Sequence, residues 1–177
     1  MTSVWKTAAG VAATAVVGAV ATTPAASWYR SLRKPVWQPP PAAFPAVWTP
    51  LYALIAVAAA RVLDRTSGDD RTRFRRSFTA NLLLNAGWSV LFFRARNPKA
   101  ALAEIAALNV SNLILMRDAA RVDRVAAAAL MPYAAWTLFA AAVNTAIVAG
   151  NSGQPGSRGE EKHQGADWPG RSCTAGL

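Results

Sequence analysis

The chain has 177 residues, 53% of them hydrophobic and only 16% charged, with a formal net charge of +10. A soluble domain is about 25% charged; here residues 7–29, 35–60, 77–93, 105–116 and 125–157 carry no charge at all, which excludes an ordinary soluble fold. The basic residues cluster at the ends of these apolar runs, where anionic headgroups attract them, so the charge points to a lipid bilayer and away from nucleic acid.

About 20 apolar residues span the hydrocarbon core of a bilayer as a helix. The first such segment is residues 4–26. Its apolar run is too long for a secretory signal, and Lys6 alone makes a weak leading charge. Gly10, Thr14, Gly18 and Thr22 recur every four residues on one face, a pattern that lets helices approach closely in lipid. That face serves either packing within one bundle or a homodimer seam. Pro24 is expected to end the helix.

Residues 28–52, WYRSLRKPVWQPPPAAFPAVWTPLY, hold three tryptophans, two tyrosines and six prolines. So many prolines cannot sit in one helix, and a polar loop has no use for so many aromatics. Ser27–Ala43 is therefore expected to be a folded, aromatic-rich loop, at least an interfacial belt. A second crossing then runs over about 44–63, with Trp48, Leu51, Tyr52 and Ile55 on one face. Pro50 should kink this helix or delay its start. Residues 64–76, DRTSGDDRTRFRR, read as a charged loop with a turn at Gly68-Asp69-Asp70.

The third crossing is placed at 77–93. Ser77, Asn81, Asn85 and Ser89 form a polar stripe bordered by Trp88, and such stripes face the bundle interior or a cavity. Pro98 fits the first turn of a fourth crossing over 100–116. Glu104 lies near its start, where the helix dipole favours a negative charge and Arg94, Arg96 or Lys99 offers a partner. Asn109, Ser111 and Asn112 are suited to bonds between helices. The fifth crossing covers 125–149, with Tyr133, Trp136, Ala140, Val143 and Ile147 in helical register beside Asn144, and Pro132 able to bend it. Residues 151–177 are rich in glycine, proline and charge and are read as a disordered polar tail. The tail contains Cys173 and His163, the only cysteine and the only histidine, and no cluster has metal-ligand spacing.

Three strings resemble the TspO/translocator protein family of tryptophan-rich sensory proteins. The first is Trp28-Tyr29, Leu32, Lys34-Pro35, Trp37, Pro39-Pro40, Val47-Trp48 and Leu51-Tyr52. The second is Leu84-Asn85, Trp88 and Phe92-Phe93. The third is Pro132-Tyr133, Trp136, Phe139-Ala140 and Asn144. They stand in the family's order and spacing and, with the helices between them, cover roughly residues 5–150. The resemblance implies an all-α integral membrane protein: a five-helix bundle over residues 1–150 whose aromatic, proline-rich loop between helices 1 and 2 closes over a ligand cavity as a lid. It also implies a homodimer. Asn81 stands where the family usually has Gln, Pro50 where it usually has a non-proline residue, and Ala100 where it often has an aromatic.

No triad, paired carboxylate site or phosphate-binding glycine loop is present, and no cofactor is required. By the resemblance, Trp37, Trp48, Tyr52, Trp88, Tyr133, Trp136 and Ala140 line the cavity, with Asn81, Asn85 and Asn144 to orient a ligand. Trp28, Tyr29, Arg30, Arg33, Lys34 and Pro35 form the lid and rim, whose cations would meet carboxylates. Such a site suits a flat, largely apolar molecule, and the ligand class the resemblance implies is a porphyrin such as protoporphyrin IX. The first reading is thus a porphyrin receptor, sensor or carrier. A second is light- and oxygen-dependent porphyrin breakdown using Trp48 and Trp136. A third is a transporter or binder of sterols and other apolar lipids, although the Tyr-centred sterol pattern is missing from VNTAIVAG after Ala142. The side holding Lys6 and the 61–76 and 117–124 segments has ten Lys or Arg, against six on the other before the tail. Positive-inside bias then puts the N-terminus in the cytoplasm of a bacterial cell membrane and the lid outside.

Overall fold

A computed structural model describes residues 2–152. They form six α-helices: α1 Thr2–Thr22, α2 Ala26–Ser31, α3 Ala43–Asp64, α4 Gly68–Ser89, α5 Pro98–Ala120 and α6 Arg124–Asn151. The tail beyond residue 152, with His163 and Cys173, lies outside the described residues. Among the described residues, four helical stretches are long and apolar enough to cross a membrane: Val4–Thr22, Ala43–Asp64, Pro98–Ala120 and Arg124–Asn151.

The five long helices close a ring. Helix α1 packs on α3 and α4, α4 on α5, α5 on α6, and α6 back on α3. The alanine-rich composition is what allows this. Ala58, Ala59, Ala60, Ala101, Ala119 and Ala126 are all at most 2% exposed and let the backbones approach. The glycine face of α1 is used inside the ring: a Cβ on Gly10 would stand 3.4 Å from Leu82, and one on Gly18 3.5 Å from Ser89 Oγ. Both neighbours belong to α4, so this face is intrachain packing rather than a free seam.

Several expected boundaries move. Pro24 does not end the first helical stretch cleanly; a 3₁₀ turn over Thr23–Ala25 carries the chain into α2, so the loop is partly helical. Pro50 sits inside an unbroken α3. The charged stretch 68–76 is helix, not loop. Asp69 and Asp70 lie in the first turn of α4, where the dipole favours them. Phe74 and Phe78 fall four residues apart, stack 6.3 Å apart, and join Leu82 in the core, extending the apolar stripe back through the charges. At its other end α4 passes into a π-helical turn, Val90–Arg94, closed by bonds from Ala95 N to Val90 O (2.9 Å) and Asn97 N to Leu91 O (3.0 Å). Helix α5 begins with Pro98 and is capped by the Asn97 side chain, which accepts from Ala100 N at 3.0 Å.

Glu104 makes no ion pair with Arg94, Arg96 or Lys99 among the described residues. Its carboxylate instead lies over Gly87 of α4, where a Cβ would come within 2.8 Å of Oε1. The missing side chain at 87 makes the room the acid occupies.

At the end carrying the α3–α4 and α5–α6 connections, two aspartates hold the helices together. Asp123 caps α6 by accepting from Val125 N (2.9 Å) and Ala126 N (3.2 Å), and pairs with Arg61 (2.9 Å) and Arg65 (3.2 Å) from the end of α3. Asp118 of α5 receives Arg73 (2.6 Å) and Ser77 (3.1 Å) from α4.

Candidate functional site

At the opposite end the chain between α2 and α3 packs against α6. Lys34 organises its start. Its ammonium donates to the carbonyls of Tyr29 (2.8 Å), Arg30 (3.1 Å) and Leu32 (2.9 Å) and lies 5.1 Å from the Tyr29 ring centre. These are carbonyls that the end of a short helix leaves open, and an ammonium has three protons to give. Lys34 is thus a helix cap, and its donors are spent. Gln38 N returns to Pro35 O at 3.0 Å, closing a turn that presents Val36 outward and leaves Trp37 half-exposed. Asn151 at the end of α6 clasps the loop: its Oδ1 accepts from Arg33 N (3.1 Å) and its Nδ2 donates to Arg33 O (3.0 Å).

Under this loop lies a group of aromatic rings drawn from three elements. Trp37 meets Phe139 edge-on at 5.7 Å, and Phe44 meets Trp136 at 6.0 Å. Trp136 and Phe139 stack at 5.4 Å. Trp48 stacks on Tyr52 at 5.0 Å and tilts against Tyr133 at 6.2 Å. The α6 members Tyr133, Trp136, Phe139 and half-buried Ala140 share one face through i, i+3 and i+4 spacing. Phe44 and Phe139 were not among the expected site residues. The signal for both existed, since Phe44 is one turn before Trp48 and Phe139 one turn after Trp136.

Beneath the rings runs a buried polar network. Tyr133 Oη donates to Asn81 Oδ1 (3.2 Å) and accepts from Asn85 Nδ2 (3.1 Å). Asn81 Nδ2 donates to Asn112 Oδ1 (2.7 Å) and to Ser111 (3.2 Å), and Asn112 Nδ2 donates to Thr137 (2.8 Å). Tyr52 Oη reaches Asn85 Oδ1 at only 3.5 Å, the weakest link and the one nearest the rings. Asn81, Asn112, Thr137, Asn144 and Tyr133 are at most 2% exposed. In a bundle this dry, each amide left without a partner would be costly, so the network fixes how α4, α5 and α6 meet.

The remaining expected residues form a second cluster, which Phe139 links to the first. Trp88 stacks on Phe92 at 5.2 Å and donates through Nε1 to Asn144 Oδ1 at 3.1 Å; Asn144 Nδ2 donates to Pro98 O at 2.9 Å. Trp28 and Tyr29 of α2 pack edge-on against Phe92 at 5.8 and 6.1 Å. The π turn that delivers Phe92 and Phe93 here could not be read from spacing. Burial pushes the Tyr29 phenol up from its ordinary pKa, against a hydrogen bond from the Gln38 side chain. Oε1 of Gln38 is buried and has no hydrogen-bond partner among the described residues. The expected set thus divides: Trp37, Trp48, Tyr52, Tyr133, Trp136 and Ala140 gather around one ring group, Asn81 and Asn85 lie beneath it, and Trp88, Asn144, Trp28 and Tyr29 anchor α2 to α4 and α6.

Residues 7–149 match the TspO/MBR family. The chain is 37% identical over 135 residues to the tryptophan-rich protein TspO of Chlorobaculum tepidum, covering 74% of this chain and 84% of that protein. It is 32% identical over 148 residues to the tryptophan-rich sensory protein of Cereibacter sphaeroides, covering 81% and 92%. It is also 32% identical over 135 residues to the human translocator protein, covering 74% and 79%. With apolar spans, a tryptophan-rich loop and a match over most of its length, this chain belongs to the TspO/MBR family of multi-pass membrane proteins.

Proposed function

We propose that the chain is a membrane receptor or carrier for a flat apolar macrocycle of the porphyrin class, held between the loop-side and α6-side rings. The observation that carries this reading is the meeting of Trp37, Phe44 and Trp48 with Tyr133, Trp136 and Phe139. Indole and phenyl faces grip a planar π-system by stacking and dispersion, with little demand on hydrogen bonding. The ligand enters by parting Trp37 from Phe139 and Phe44 from Trp136, so the 32–42 segment acts as a lid. Arg30 at the end of α2 and Arg33 on that segment, both exposed, meet the ligand's carboxylates at the rim. The amides of Asn81 and Asn85 serve as a rigid polar floor rather than as free ligand contacts, because their bonds are engaged. The names of the relatives, sensory protein and translocator, are compatible with a receptor or carrier.

The same reading gives α4 a fifth crossing through its apolar residues 77–89 and the following π turn. Its place in the ring between α1 and α5 supports this. The N-terminus is proposed to be cytoplasmic and the lid on the far side, following the distribution of Lys and Arg. A homodimer is proposed through the outer face of α4, where Leu83 is 68% exposed, since the α1 glycine face is already occupied.

The test is a protoporphyrin IX titration of the purified protein in detergent, in the dark, followed through the Soret band. Saturable binding with an unchanged spectrum on subsequent illumination is expected. A saturating band that decays under light into a product band would make the protein an enzyme. Absence of saturable binding would remove the porphyrin assignment.

A further inference from the structure

On the outer surface of α5 and α6, at the end away from the lid, an open groove of about 450 Å³ runs between the two helices. Ala120, Ala127 and Ala128 form its floor and Met116 and Met131 its walls, with Met131 58% exposed. Arg117 and Arg124 stand at its rim, one from the last turn of α5 and one from the first residue of α6. Neither forms an ion pair among the described residues. The nearby acids are committed elsewhere: Asp118 to Arg73, Ser77 and, at 3.9 Å, Arg121; Asp123 to Arg61, Arg65 and the start of α6.

We infer that this groove is a binding site for an anionic phospholipid, with one acyl chain along the alanine floor and the phosphate between Arg117 and Arg124. The chemistry divides along the groove as such a lipid does. Met116 precedes Arg117 on α5 and Ala127, Ala128 and Met131 follow Arg124 on α6, so most of the apolar lining lies on the helix-interior side of the two guanidiniums. Guanidinium is the side chain best suited to a phosphate, since its planar fork can give two parallel hydrogen bonds. The long Arg stems also cover apolar surface while keeping the charge at headgroup level. Met side chains adapt to a flexible chain better than branched ones. A zwitterionic lipid would bring its own cation to the same rim and gain less. The inference uses only the membrane setting of the helices and stands or falls separately from the porphyrin reading.

The test is native mass spectrometry of the full chain released from detergent, titrated with dioleoyl phosphatidylglycerol or dioleoyl phosphatidylcholine. The expected result is a saturable phosphatidylglycerol adduct with a clear preference over phosphatidylcholine. Each basic residue at an anionic surface contributes about fivefold in affinity, so R117Q with R124Q weakens the adduct roughly 25-fold. The charge-matched pair R94Q with K99Q, at the lid end, leaves it unchanged. Ala128→Trp, which fills the floor without touching a charge, also abolishes it. Equal binding of the two lipids, or an adduct indifferent to R117Q with R124Q, would overturn the proposal. Displacement of the lipid by inorganic phosphate would make the rim a free-anion site and overturn the lipid assignment.

Discussion

Asp123 joins three pieces of chain through one carboxylate. It caps α6, holds Arg61 of α3 and holds Arg65 just beyond it. Partial burial pulls its pKa upward, but the Ala126 and Val125 N–H groups and the Arg61 guanidinium outweigh this and hold the carboxyl below its ordinary value. A carboxyl with a depressed folded pKa contributes stability that is fully present above the unfolded value and is lost as pH falls through the folded one. We therefore expect Asp123→Ala to lower Tm at pH 7, with the gap from wild type closing as pH falls below about 4. A gap that stays constant down to pH 2 would show that the charge of Asp123 is not what holds α3 to α6. At this scale the sequence was partly legible. The aromatic faces and the Asn81–Asn85 stripe follow from helical spacing alone. Partner choice did not follow: Lys34 was expected at a ligand rim and is a cap, and Trp88 was expected with Trp48 and Trp136 but bonds Asn144. Which of several indoles meet depends on helix rotation and on the π turn, and neither leaves a mark in spacing.

Among the elements, α4 was the hardest to read. Its first three turns look like a solvated loop because arginines outnumber apolar residues there, and only the Phe74–Phe78–Leu82 spacing betrays the helix. Helix α2 was hidden for a different reason. Six residues cannot hold a helix by propensity, and this one exists because Trp28 and Tyr29 pack on Phe92 while Lys34 caps its end. The 32–42 segment is thus tethered at its start by packing and by the Asn151 clasp. The two clasp bonds are exposed, so each contributes at the low end of the usual range of about 0.5–1.5 kcal/mol. Asn151→Ala should therefore speed porphyrin association and dissociation together, by roughly three- to tenfold each, with little change in Kd. Stopped-flow absorbance would read this. A change in Kd carried by dissociation alone would mean that Asn151 contacts ligand rather than holding the lid.

For the molecule as a whole, the modest mean hydropathy of +0.19 reflects the polar residues after Asn151 and crossings rich in alanine rather than leucine. Small residues bring the helices together, and a buried amide and hydroxyl network replaces much of the leucine packing a soluble core would use. The helical class and the membrane setting were legible because charge marks the ends of crossings. The ring order was not, because any order of amphipathic helices satisfies the same charge pattern. On the porphyrin proposal, ligand seats between the loop-side and α6-side rings and not against Trp88 in the second aromatic cluster. Dark protoporphyrin IX titrations of Trp48→Phe, Trp136→Phe and Trp88→Phe, read at the Soret band, test it most directly. An aromatic pair contributes about 0.5–1.5 kcal/mol beyond its buried area, so Trp48→Phe and Trp136→Phe should each raise Kd by roughly three- to tenfold. Trp88→Phe should leave Kd where it is. Weakening by Trp88→Phe with the other two unaffected would place the ligand in the second cluster and contradict the account.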